Sequence, residues 1–355
     1  MEYSPQSSKN LVVVVNPTQL LNALEAQTDL NLKNALIVVS HRSPPYPKER
    51  FLPIMKVYNV GEKSVLWCPE PAPPKHFGGP LIVVWKRVLD WMRIRNILKS
   101  VGQCEFTTIC LASIHTPWAL GLTKRLKFKQ LVSIDDGTAI STVSQLRRGK
   151  ERSLDNCNLR TKITQKSLGK IEKIYFFTTC KEEFGPNDVV IKNNQTTLRK
   201  LAKNTEIDDR LFWFIGQPIV EGKLMTEETY YKIMRIIVSM LPNKVKKTYV
   251  LHPRESAKYV NCLVADGLFT ECIRLDVPVE IGIALRNRAP AHVGGFFSTG
   301  LENIAGMLGQ KIRVYAYRIE PEDWLGRHDF IEGVLNGWKG DHENKIKVVD
   351  LRDNH

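Results

Sequence analysis

Short apolar runs rich in Val, Ile and Leu alternate along this chain with segments whose apolar residues recur every three to four positions. Runs at 11–15, 35–40, 107–114, 130–134 and 173–178 read as strands, and 20–26 and 81–100 as helices. Strands that are apolar nearly throughout are buried on both faces, as in parallel sheets, and parallel neighbours need a crossover between them. The pattern then starts again, with strands at 213–215, 248–251, 270–275, 292–297 and 311–317. Helices at 227–241, 256–266, 279–286 and 301–308 lie among them. In 355 residues this predicts an α/β protein of two Rossmann-like domains, 1–185 and 186–355, facing each other across a cleft. A linker is expected over 181–212. The Pro-rich stretch 43–80, with Pro44-Pro45 and Pro71 to Pro74, is expected to hold no regular helix.

Several function classes are excluded early. Neither half carries a GxGxxG fingerprint or a Walker sequence, which argues against a dehydrogenase or a P-loop kinase. No run of 18 apolar residues occurs, so no membrane span is expected. The polar first ten residues contain no apolar signal-peptide core, and a cytoplasmic protein is expected. Seven scattered cysteines show no CxxC pair and no Cys/His ligand spacing. They read as reduced core thiols, with no metal site.

The charge balance implies an anionic partner. Lys and Arg number 51 against 37 Asp and Glu, a net +14 that favours an anionic ligand or surface. Arg147, Arg148, Lys150, Arg152, Arg160, Lys162, Lys166 and Lys170 crowd one stretch whose only acids are Glu151 and Asp155. This stretch reads either as a solvated face or as a contact for an acidic glycan or an anionic membrane leaflet. Nucleic acid is not expected, because no zinc-finger spacing, RNP pattern or helix-turn-helix accompanies the charge. The 81–100 helix carries Lys86, Arg87, Arg93 and Arg95 off its apolar stripe. It reads as core-packed, with membrane contact as the alternative.

Three motifs follow strand-like runs and therefore fall at the exposed end of a sheet, where open α/β folds bind ligands. Asp135-Asp136-Gly137 offers two mutually repelling carboxylates, suited to a base or a cation, or forms a plain Asp-Gly turn. His252-Pro253-Arg254 puts an imidazole at a strand end, with proline fixing the backbone and arginine adding charge. A capping or buried histidine is the plainer alternative. Gly294-Gly295 and Ser298-Thr299-Gly300 combine glycines, hydroxyls and the start of a helix, which suit a phosphate or simple N-capping. Glu280, at the start of another helix, could accept from a ribose diol or complement the helix dipole.

Taken in order, these motifs resemble those of the bacterial sialyltransferases. The segments Ile215-Gly216-Gln217-Pro218-Ile219 and His252-Pro253-Arg254-Glu255 are similar to the lipooligosaccharide sialyltransferase family, and the capsular polysialyltransferases share all three motifs. The resemblance implies a GT-B fold whose C-terminal half binds CMP-sialic acid and whose N-terminal half binds a glycan or glycolipid acceptor. It implies Asp135 as general base, with Asp136 its neighbour and Glu221 as the reserve base in the other half. His252 would bind and protonate the leaving phosphate, Glu280 would hold the ribose, and Ser298 and Thr299 the phosphate. Gly216, Pro253, Arg254, Gly295 and Gly300 complete the donor-binding set. No cofactor or metal is expected, since a leaving group with a single phosphate carries less charge than a pyrophosphate. One base opposite the leaving group implies inversion at the anomeric carbon. The acceptor would be lipooligosaccharide or capsule polysaccharide, reached by a protein peripheral on the inner membrane, and a homodimer stays open. CMP-Kdo or a UDP-sugar is the alternative donor. A catalytically silent basic glycan- or lipid-binding protein is the alternative class.

Overall fold

The computed structural model describes residues 9–41, 46–70, 80–102, 104–135, 137, 139–149, 159–179, 183–242, 244–326, 328–340 and 346–351. Asp136, Pro44-Pro45, Pro71 to Pro74, Lys150, Glu151, Arg152 and Asp155 lie outside them. The chain forms two compact units, Met1–Thr196 and Thr197–His355. Each is a parallel sheet with crossover helices.

In the first unit the strands are β1 (Asn10–Val14), β2 (Ala35–Val39), β3 (Val65–Trp67), β4 (Glu105–Ala112), β5 (Lys127–Ile134), β6 (Tyr175–Thr178) and β7 (Val189–Lys192). Their order is β3-β2-β1-β4-β5-β6-β7, and every pair is parallel. Connections run through α1 (Pro17–Asp29), α2 (Leu52–Val57), α3 (Pro80–Val101), α4 (Pro117–Thr123), α5 (Ala139–Arg147) and α6 (Leu159–Gly169). Helix α1 starts where Asn16 Oδ1 accepts the Gln19 N–H at 2.9 Å and Pro17 fills the first turn. Leu11, Val13, Leu36, Val38, Ile109, Leu111 and Leu131 pack with Ile94, Ile97 and Trp118 from the helices in one buried cluster.

In the second unit the order is β10-β9-β8-β11-β12-β13. These are β8 (Glu206–Ile215), β9 (Lys246–Leu251), β10 (Glu271–Arg274), β11 (Arg288–Gly295), β12 (Arg313–Arg318) and β13 (Ile346–Asp350), again all parallel. The short α7 (Thr196–Leu201) precedes this sheet. Its crossovers are α8 (Glu227–Ser239), α9 (Ala257–Ala265), α10 (Val279–Ala284), α11 (Thr299–Leu308) and α12 (His328–Gly340).

Strand order reverses once in each sheet, between β1 and β4 in the first and between β8 and β11 in the second. At such a point consecutive connections leave in opposite directions and open a crevice outside the carboxyl ends of the strands.

Four expectations need correcting. The 43–80 stretch contains the helix α2, which tolerates Pro53 because it falls in the first turn, where its missing N–H has no intrahelical partner to lose. The stretch expected as a linker holds β7, α7 and most of β8. Arg147 is no surface cation: its guanidinium grips Asp188 at 2.6 and 2.7 Å and donates to the Leu168 and Ile171 carbonyls. The cysteines are not uniformly core thiols, since Cys68 and Cys110 are buried while Cys262 is exposed. No described helix is long and apolar enough to cross a membrane.

Candidate functional site

In the second unit β9, β8 and β11 lie side by side and end at Leu251, Ile215 and Gly295. Their carboxyl ends deliver Gly216-Gln217, His252-Pro253 and Phe296 to Ser298 to one edge of the sheet. The loops that carry His252 and Ser298 thus leave strands on either side of β8, and those strands lie two spacings, about 10 Å, apart. The reversal between β8 and β11 falls inside this set.

Ser298 caps α11, its Oγ accepting the Gly300 N–H at 3.2 Å. Ser298 and Thr299 are half-buried and Gly300 is buried. The helix that follows has ten residues, so hydroxyls and N-terminal amides sit together where an anion is favoured. At Gly295 a Cβ would lie 3.2 Å from Ile215 O and 3.3 Å from a Leu301 methyl, a tight fit. That glycine serves packing of strand on strand and helix.

His252 is half-buried and tightly framed. Its Nδ1 accepts the Arg254 N–H at 3.1 Å, which puts the proton of the neutral ring on Nε2. Its backbone N–H donates to Glu255 Oε2 at 2.6 Å. From β10, Arg274 donates to the carbonyls of His252 and Pro253 at 3.2 Å and of Glu255 at 2.8 Å. Pro253 is half-buried and Arg254 exposed.

Glu255 lies inside a cluster of tyrosines. It is 4% exposed and accepts from Tyr249 at 2.7 Å and Tyr259 at 3.0 Å, while Tyr230 and Tyr249 hydroxyls meet at 2.5 Å. Burial pushes its carboxyl up to about 7, against the lowering effect of these donors. A Cβ on Gly216 would overlap this carboxylate and come within 2.7 Å of the Tyr249 ring. The absence of a side chain at Gly216 makes room for Glu255 and Tyr249 together.

Gln217 joins the remaining loop. Its side chain is nearly buried, and its Oε1 accepts the Phe297 N–H at 3.0 Å. Glu221 is exposed and occupied at the start of α9, accepting the Ser256 N–H at 2.5 Å and the Tyr259 hydroxyl at 3.2 Å. Glu280 is turned inward: it is 2% exposed, it accepts from Asn303 Nδ2 at 2.7 Å, and burial raises its carboxyl. Its observed work is to fasten α10 to α11.

In the first unit Asp135 follows β5 at the carboxyl edge of that sheet. It is 6% exposed, Oδ2 accepts from Thr178 Oγ1 at 3.0 Å, and its carbonyl accepts from Asn22 Nδ2 at 3.2 Å. Gly137 at φ +72° takes the left-handed turn that an Asp-Gly pair suits. At the nearby reversal, Gln19 accepts from the Val15 N–H at 2.7 Å and donates to Ser113 Oγ at 2.9 Å, and Ser113 itself sits at φ +54°. A hollow of about 500 Å³ in this unit lies at the opposite edge, lined by Asn31, Asn34, Tyr58 and Ser64, and no candidate residue reaches it.

Sequence reasoning did not single out Gln217, Glu255, Tyr249, Tyr259, Arg274 or Thr178 for roles here. Gln217 and Glu255 stood inside the segments that carried the resemblance, which was the one available signal. Tyr249 and Tyr259 lie six and four residues from Glu255, while Arg274 and Thr178 are joined to their sites only by tertiary contact.

Two parallel α/β units with loops gathered at the carboxyl edges of their sheets match the GT-B fold of solved structures that this chain is similar to. The structure of Arabidopsis thaliana UGT89C1 complexed with UDP matches with TM-score 0.57 at 13% identity, covering 97% of this chain and 86% of that one. LpCGTa in complex with UDP matches with TM-score 0.54 at 10% identity, covering 98% and 89%. The UDP-GlcNAc 2-epimerase of Methanocaldococcus jannaschii matches with TM-score 0.53 at 12% identity, covering 96% and 89%. The chain belongs to glycosyltransferase family 52, whose family model matches residues 86–322, about two thirds of its length. That span takes in Asp135, His252 and Ser298. No curated protein sequence matches.

Proposed function

We propose that this glycosyltransferase is an inverting, metal-independent sialyltransferase that moves sialic acid from CMP-sialic acid to a hydroxyl of a lipooligosaccharide or capsular glycan. One observation carries the proposal: an imidazole at the end of β9 and a hydroxyl pair at the start of α11 flank the strand reversal of one sheet. A nucleoside monophosphate at that crevice meets N-terminal amides of α11, Ser298, Thr299 and the Nε2–H of His252.

The chemistry needs little more. Asp135 takes the proton of the acceptor hydroxyl, and the oxygen attacks the anomeric carbon. The bond from that carbon to the CMP phosphate oxygen breaks, and the electron pair leaves on the phosphate. The second ionisation of a phosphate monoester lies near 6, about neutral, so the dianion leaves with a hydrogen bond from Nε2 and without full proton transfer. Attack opposite to departure inverts the anomeric centre. Glu221, held by Ser256 and Tyr259, is the reserve base. Glu280 reaches a ribose only if its bond to Asn303 opens.

The glycolipid acceptor brings the enzyme to an anionic membrane surface in this proposal. Support comes from two exposed apolar residues of α3, Val88 and Trp91, 36% and 53% exposed beside the exposed Arg87 and Arg95, while Ile94, Ile97 and Val101 of the same helix pack into the core. Vesicles of anionic lipid should co-sediment the protein, and Trp91→Ala should reduce the bound fraction.

Thermal denaturation with CMP and with UDP tests the donor class. A ligand at 100 times its Kd adds about 2.7 kcal/mol of stability. CMP is expected to raise Tm and UDP to leave it unchanged. A shift with UDP alone would make a UDP-sugar the donor.

A further inference from the structure

We propose that Glu255 is the positioning residue of the donor site, holding the His252 backbone and setting the distance between the loops that follow β8 and β9. The proposal rests on His252 contacting the leaving phosphate.

Three donors converge on this one buried carboxylate: the Tyr249 and Tyr259 hydroxyls and the His252 N–H, which makes the shortest of the three bonds at 2.6 Å. A carboxylate with almost no exposure is expensive to bury, and an apolar side chain would fill the same space at less cost. What an apolar side chain would not supply is an acceptor for the His252 amide. That bond fixes the backbone from which the imidazole projects, and the ring is then held by the Arg254 N–H at Nδ1. Nε2 is left with its proton in the orientation that the backbone dictates.

The same carboxylate reaches across to β8. Gly216 packs so closely on Oε2 that a methyl group there would displace it. Gln217, the next residue, holds Phe297 beside Ser298. A continuous path therefore runs from His252 through Glu255, Gly216 and Gln217 to the α11 cap. It links the two groups proposed to touch the phosphate, on opposite sides of β8, by contacts within one unit.

The groups facing Glu255 come from every element around it. They are Tyr230 on α8, Tyr249 on β9, Tyr259 on α9, Glu221 in the loop after β8, and Cys272 and Arg274 on β10. Among these, Arg274 is the cation, and it donates to backbone carbonyls of this loop.

A double-mutant cycle tests the inference with the full-length protein and CMP-sialic acid as donor. The variants are Glu255→Gln, His252→Ala and the pair. If Glu255 acts through His252, Glu255→Gln should lower kcat at least about tenfold in the wild type and have no further effect once the imidazole is gone. Tyr259→Phe, which removes one donor and keeps the ring packing, should give a smaller loss of the same kind. Equal losses from Glu255→Gln in both backgrounds would mean a merely structural role and overturn the proposal. Wild-type turnover by a folded Glu255→Leu protein, which offers the His252 N–H no acceptor, would also overturn it. Unchanged turnover by His252→Ala is a distinct result, because it rejects the assignment of His252 itself.

Discussion

Gln217 Oε1 accepts the backbone N–H of Phe297 at 3.0 Å, tying the loop after β8 to the loop after β11 across the strand reversal. The amide it satisfies lies one residue before Ser298, so the geometry of the α11 cap depends on a side chain from another strand. Removing the carboxamide leaves that N–H without its partner, a loss of about 1–3 kcal/mol. Gln217→Ala is expected to raise the donor KM by about tenfold with a smaller change in kcat. Steady-state kinetics at varied CMP-sialic acid checks this.

Ser298 has two duties, and substitution should separate them. Ser298→Ala removes an N-cap, which costs about 1 kcal/mol of stability. It also removes a hydroxyl from the proposed phosphate site, so CMP affinity should fall as well. Ser298→Thr restores a capping oxygen and should recover most of the Tm. Calorimetric CMP titration alongside denaturant melts reads both effects.

The basic stretch around 147–170 divides into structural and surface charges. Arg147 and Asp188 form a buried pair with side chains 6% and 0% exposed. Breaking such a pair leaves an uncompensated charge inside, so Arg147→Ala should lose about 3–5 kcal/mol. Lys166 and Lys170 are exposed, and Lys166→Glu with Lys170→Glu should stay within about 0.5 kcal/mol of wild type per site. Urea unfolding midpoints distinguish the two cases.

Glu255 should leave a signature in the pH profile. Its carboxyl is pushed up to about 7 by burial, above the usual 4.5. Between those values the folded protein holds a proton that the unfolded chain has lost, so this group's contribution to stability falls as pH rises through the window, by up to about 3 kcal/mol. Below about 4.5 that contribution is fully present. Glu255→Gln should flatten the slope of stability against pH over that range. In kinetics, the ionised form accepts all three of its donors, so an ascending limb near pH 7 is expected in the wild type and not in the variant.

Most strands of both sheets were legible because their apolar runs are buried on two faces, and the three motifs were legible because they follow those runs; β3, β7 and β13 were not read. Nor were polar strand segments. Glu206 to Arg210 reads as a linker, yet it forms the first half of β8, where it pairs with the start of β11 and Arg288 lies 3.7 Å from Glu206 and 3.9 Å from Asp208. Pairing across strands satisfies charges that look like loop residues in one dimension. Three-residue β3 is too short to show a period, and α2 hides behind Pro53. The site was legible as far as its local sequence went. That Gly216 makes room for Glu255, and that Glu280 turns onto Asn303, follow from neighbours distant in sequence.

The measurement that bears most directly on the mechanism is product mass from the protein incubated with CMP-sialic acid and an array of small glycan acceptors. Wild type should release CMP and add one sialic acid residue to an acceptor, and folded His252→Ala and Asp135→Ala proteins should each lose at least about 10²-fold in turnover. Consumption of a UDP-sugar in place of CMP-sialic acid, or undiminished transfer by His252→Ala, would contradict it.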